Sequence, residues 1–191
     1  MLALHSNDSC EIEQWDTFRK MSFRNRCIIV GSNGLINLTV PVEGGRNNKQ
    51  LIKDVLISYS ENWQLQHCKA IVSSYAKAPF FEYYQQNVEQ LIKKRHAFLL
   101  DKNMEIALWL KKALKMSSAI GMTERYEFIL STDIMDLRNK WLPNNYQEGG
   151  GLYYNQVFEE KIGFQKNVSI LDFLFCRGPN IVGIAENQQF I

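Results

Sequence analysis

Apolar and polar residues alternate in short runs through the first third of the chain and then fall into longer, helically spaced groups. CEIEQW, FRNRCIIVG, LINLTVPV and DVLIS are each short and rich in β-branched or aromatic residues, which predicts strands. Gly31, Ser32, Asn33 and Gly34 separate the second and third runs and predict a hairpin turn. The stretch PVEGGRNNKQ lacks apolar residues after Val42 and predicts a loop. From Ser60 the spacing of Trp63, Leu65, His67, Ile71 and Val72 predicts a helix that stops before Ala78 and Pro79. Two longer amphipathic helices are expected over Phe80 to Leu100 and Asn103 to Met116. A short one follows, capped by Thr132 or Asp133 and running to Lys140. YYNQVFEEKIGF and VSILDFLFCRG complete the pattern, the latter stopped by Gly178 and Pro179. The expected architecture is one α/β domain over residues 1–191: a mixed sheet from the N-terminal third, helices packed on it, and a helical C-terminal part.

Composition narrows the function classes. A chain of 191 residues with 46% hydrophobic and 22% charged residues buries a core without staples, which sets disorder aside. A formal charge of +2 argues against a dedicated nucleic-acid binder. The densest basic cluster, Lys93, Lys94 and Arg95 with Lys111 and Lys112, is diluted by Glu89, Asp101 and Glu105 and reads as a solvated helix face. The four cysteines are scattered with no CxxC pair, and neither a secretory leader nor an apolar run of ~18 residues is evident. A cytoplasmic protein with reduced thiols and no membrane span is expected. Three separated histidines and those cysteines give no zinc-type spacing, so no metal is predicted, and no cofactor or oligomeric state can be assigned.

Several polar residues have chemistry worth following. Asn25 and Arg26 sit in a strand pattern, where alternation sends one to the packed face and one to solvent; an arginine there either binds a carboxylate or phosphate or serves a structural pair or a hydrogen bond to the following loop. His67 lies four residues after Trp63 and has the proton affinity of a general base, although many enclosed histidines only hydrogen-bond to backbone. Asp172 stands between apolar residues in SILDFLF, a setting that demands a partner or an exposed face. Ser169 reads as a helix cap rather than a nucleophile. Arg46 and Lys49 give the glycine-containing loop a weak capacity to close over an anion. Tyr75, before the Ala78–Pro79 break, could line a pocket with Tyr83 or Tyr84 or simply pack around the proline.

Six ordered segments, RNRCII, LTVPV, WQLQH, YAKAPFFEYY, QVFEEKIGF and VSILDFLFCRGP, make the chain resemble the WbqC-like family from about Cys10 to Pro179. The resemblance implies a role in bacterial O-antigen or other surface-polysaccharide assembly, where some members are assigned glycine transfer. It implies no mechanism. Relatives usually open with an apolar strand and a Tyr-Leu-Pro loop; Met1 follows the place where these belong, so an N-terminally truncated member is expected. Two functions follow from the sequence. One is an acyl or aminoacyl (glycine) transferase using a small-molecule or sugar-nucleotide substrate, with His67 and Asp172 catalytic and Asn25, Arg26, Arg46, Lys49 and Tyr75 binding substrate. The other is a noncatalytic binding or scaffolding protein with Tyr83, Tyr84, Trp109 and Trp141 as an exposed aromatic patch.

Overall fold

A computed structural model describes residues 7–44, 50–148 and 150–179. Strand β1 (Ser9–Ile12) pairs in parallel with β4 (Ala119–Met122), Ser9 opposite Ala119. Strands β2 (Arg26–Gly31) and β3 (Gly34–Thr39) form an antiparallel hairpin in which Arg26 faces Thr39 and Gly31 faces Gly34. Helices α1 (Trp63–Tyr75), α2 (Phe81–Lys93) and α3 (Leu99–Ala113) follow, then the single turn α4 (Glu159–Ile162) and α5 (Ile170–Arg177). The α/β class with a helical C-terminal part holds. Parallel and antiparallel pairing both occur, in two separate two-stranded ladders among the described residues.

Alternation along the hairpin explains its place in the core. Ile29 and Leu38 belong to the apolar cluster that contains Ile71 and Tyr75 of α1 and Phe175 of α5, and their cross-strand partners Ile36 and Cys27 pack against it. Ile28 and Val30 project from the other face and are buried as well. The outer edge of β2 is covered without a third strand: Ser169 N–H donates to the Ile28 carbonyl at 2.7 Å and Val30 N–H donates to the Tyr75 hydroxyl at 3.2 Å. Phe175 stacks between Tyr75 and Phe81, with ring centroids 5.0 and 5.2 Å away. Fully burying such a ring contributes roughly 2–3 kcal/mol.

The departures from the sequence pattern have local causes. DVLIS is buried, with Val55 and Ile57 in the core, but makes only isolated bridges, Val42 with Ile57 and Leu56 with Phe98, after a 3-10 turn at Ile52–Asp54. The expected helix to Leu100 stops at Lys93, where the carbonyls of Leu91, Ile92 and Lys94 are taken by the Lys102 ammonium at 2.9, 3.2 and 3.0 Å. A helix end needs such donors, and a cation there also meets the negative end of the macrodipole. Leu99 and Leu100 therefore begin α3. No helix forms over 132–140: Asp136 bonds back to the Arg138 amide at 2.9 Å, a local turn that competes with helical bonding, and Asn139 adopts φ 56°. YYNQVFEEKIGF contracts to α4, ended by Gly163 at φ 73°. Ser169 does cap α5, accepting from Leu171 N–H, and Gly178 closes it at φ 72°. Leu65 and Val72 of α1 are exposed, whereas Cys68, Ser74 and Tyr75 are buried beside Trp63, His67 and Ile71.

Candidate functional site

The hairpin is crossed by α1, and the polar residues flagged in the sequence divide between its two ends. His67 and Tyr75 are eight residues apart on α1, ~12 Å along its axis. At the base His67, 9% exposed, packs edge-on against Trp63 at 5.1 Å between centroids and is hydrogen-bonded to the Thr39 backbone. Burial lowers its pKa below the usual 6.5; the Thr39 bond raises it, and the nearby Lys102 charge lowers it again. The ring is therefore neutral near pH 7. Asn25 Nδ2 donates to the Val40 carbonyl at 2.9 Å, while Asn25 Oδ1 has no described partner. Arg26 is the register partner of Thr39, on the face of Ile28 and Val30 and opposite the α1 side. Its guanidinium reaches the Met21 sulfur at 3.4 Å and its Nε has no described partner.

At the tip Tyr75 and Asp172 come together. Asp172 is fully enclosed in the first turn of α5. Its Oδ2 accepts from the Tyr154 hydroxyl at 2.8 Å and from Gln156 Nε2 at 2.9 Å. Gln156 is fixed in turn by Gln165, whose backbone N–H donates to its Oε1 at 2.7 Å. The Tyr75 hydroxyl, engaged with Val30 N–H, adjoins the carboxyl but makes no hydrogen bond of good geometry to it, leaving Asp172 Oδ1 without one. Burial raises the Asp172 pKa, opposed by the bonds from Tyr154 and Gln156 and by the nearby Tyr75 hydroxyl. Burial likewise pushes Tyr75 and Tyr154 far above 10, with the Asp172 charge second. Cys176, one turn along α5, is pushed up to about 12 by burial and then by Asp172.

Beside this network a cleft of about 210 Å³ opens between the hairpin tip, Gly31 to Ile36, and Ser73 and Ser74 in the last turn of α1. Gly34 has φ 126°, and a side chain at Gly31 would lie 2.5 Å from Ile36 Cδ1, so both glycines are set by the tight turn. Ser74 is 2% exposed and its hydroxyl has no described partner. Lys161 Nζ reaches Asn33 Oδ1 at 3.0 Å on the rim. Asn25, Arg26, His67 and Asp172 do not line this cleft, and Asp172 is fully enclosed. Arg46 and Lys49 lie outside the described residues. Among the described residues no group of three or more His, Cys, Asp or Glu is placed to hold a metal ion, and no helix is long and apolar enough to cross a membrane.

The model of the WbqC-like protein family matches residues 6–151. The chain belongs to the WbqC-like family. No curated protein and no solved structure gives a significant match. The matched span of this WbqC-like chain includes the hairpin, α1 and Lys102, whereas Tyr154, Gln156, α5 and Asp172 lie beyond it. Three groups escaped the sequence reading. Ser74 and Lys102 carry no local signal, since a serine near a helix end and a lysine between two expected helices both read as solvated. Gln156 was legible only as the first residue of QVFEEKIGF. Of the aromatic residues expected on the surface, Tyr83 and Trp141 are exposed, but Tyr84 is 6% exposed and packs edge-on against the half-buried Trp109 at 6.2 Å.

Proposed function

We propose that this WbqC-like protein acts in the cytoplasm as a ligand-binding component of bacterial surface-polysaccharide assembly, holding a small polar group in the hairpin-tip cleft without transforming it. The observation that carries this reading is the make-up of the cleft: hydroxyls, a carboxamide and turn backbone face it, with no acid or base among its lining residues. His67 is spent on packing and a backbone bond, and Asp172 is sealed behind Tyr75. Kinship supplies the pathway. Titration of the purified chain with sugar and sugar-nucleotide probes should shift the amide resonances of Ser32 to Gly34 saturably, with no product formed. Turnover in a reconstituted glycyl-transfer assay with an amino-sugar acceptor, abolished by His67→Ala, would overturn the noncatalytic reading.

That outcome would favour the second reading, an acyl or aminoacyl transferase, to which one observation lends support: Tyr75 and Asp172, far apart in sequence, come together in one buried network, Tyr75 following the cleft residue Ser74. In that reading His67 accepts the proton of the amine acceptor and Asp172 positions Tyr75. Asn25, Arg26, Arg46 and Lys49 then hold the substrate.

A further inference from the structure

We propose that the hairpin-tip cleft recognises a phosphate group, an inference that rests on the binding role above and names the chemistry of its ligand. The lining is rich in hydrogen-bond donors. Ser32, Ser73 and Ser74 bring hydroxyls, Asn33 brings a carboxamide, and the Ser32 and Asn33 backbone N–H groups lie in the turn beyond the Gly31–Gly34 pair, outside the strand ladder. The lining residues include no carboxylate, and Lys161 places an ammonium one hydrogen bond from Asn33. Donors converging from a turn, with a cation at the rim, suit an oxyanion whose oxygens accept several bonds at once.

The Ser74 hydroxyl is the second, independent sign. A helical serine has a ready acceptor in the carbonyl one turn back, here that of Ala70, yet this hydroxyl is enclosed and bonds to no described group. An enclosed polar group without a partner is costly unless a ligand answers it. One feature opposes an anion: Ser73 and Ser74 lie at the negative end of α1. That end is already partly neutralised, because the Val72 and Tyr75 carbonyls accept from the Ala76 and Ala78 amides at 3.0 and 2.8 Å. Size points to a single group rather than a whole molecule. About 210 Å³ is below the range of pockets that enclose drug-sized ligands, so the rest of the ligand would extend into solvent.

The test is an amide-resolved NMR titration of the full chain with inorganic phosphate, a nucleoside diphosphate sugar and the free sugar, each against sodium chloride of matched ionic strength. Saturable shifts at Ser32, Asn33, Gly34 and Ser74 with both phosphate-bearing probes are expected. Ser74→Ala and Lys161→Met should each weaken binding about tenfold, the loss expected when one hydrogen bond to a charged ligand goes. Thermal melts of both variants would confirm that the fold is kept. Should the free sugar shift these amides while inorganic phosphate does no more than chloride, the phosphate assignment falls and the binding role stands. Silence with every probe would remove both.

Discussion

The two ends of the β2–β3 hairpin differ in what their buried polar residues adjoin. At the base, Asn25 and His67 each bond to backbone and Lys102 nearby is shared among three carbonyls of the α2 end; Asn25 Oδ1 and Arg26 Nε have no described partner there, but neither residue lines the cleft. At the tip, Asp172 has one oxygen doubly bonded and the other unpartnered, and Ser74 has no described partner at all. Buried polar groups that close on the protein's own backbone fix a fold. Of those left over at the tip, Ser74 lines the cleft, where a ligand can answer it, whereas Asp172 does not.

The sharpest way to break this comparison is at Asp172. Asp172→Ala removes the acceptor for Tyr154 and Gln156 in a sealed site and leaves a cavity, so urea denaturation should show a loss of ~3 kcal/mol. Asp172→Asn keeps an acceptor and should match or exceed the native stability at neutral pH. The sign follows from the raised pKa. A carboxyl that holds its proton more tightly when folded contributes stability that is complete below its unfolded value and is lost as pH rises through the folded one. The asparagine variant should lack that decline. An equal loss in both variants would show that the charge itself is needed.

Next in size is Lys102, the base counterpart. Burial pulls its pKa down to about 8, against the opposing pull of the nearby Glu105 charge. Lys102→Met leaves the Leu91 and Lys94 carbonyls without this donor, while Ile92 keeps its 2.7 Å bond from Gln64. A loss of ~2 kcal/mol with fraying of α2 is expected. Because the folded pKa is depressed, native stability should rise between pH 8 and 10.5 as the unfolded chain binds more protons, and the methionine variant should not show the rise. A native-like slope in the variant would deny Lys102 this role.

Periodicity made the hairpin, α1 and the capped α5 legible, because each is set by local spacing together with Gly31–Gly34, Ser169 or Gly178. The end of α2 was not, since what stops it is a lysine nine residues beyond Lys93 whose burial no local pattern announces. DVLIS showed its burial but not its pairing, which depends on Phe98 and Val42. At the candidate site, the chemistry of Tyr75 and Asp172 was readable and their meeting was not. Asn25 precedes β2 and, like Arg26, is half-buried, so alternation did not sort the pair into a packed and a solvent face, and nothing in sequence told which face α1 would cover.

A smaller effect is expected at His67. Its depressed pKa means that the unfolded chain takes up a proton first on acidification, so the stability conferred by the neutral ring is complete above 6.5 and is lost as pH falls through the folded value. His67→Gln should cost under ~1 kcal/mol at pH 8 and flatten the dependence of stability below pH 6.5. An unchanged acid slope would mean that the ring is not the group being titrated, and would weaken the view of the base as closed on itself.

The smallest expected effect is at Ser74, set against the cap Ser169. Ser169 caps α5 by accepting from Leu171 N–H, so Ser169→Ala should cost ~1 kcal/mol. The Ser74 hydroxyl has no described bond to lose, and alanine is the better helix former, so Ser74→Ala should leave stability within ~0.5 kcal/mol of native or raise it. Parallel urea titrations of the two variants make the comparison directly. A cost at Ser74 as large as that at Ser169 would mean that its hydroxyl already serves the folded chain, and the tip would then be as closed as the base.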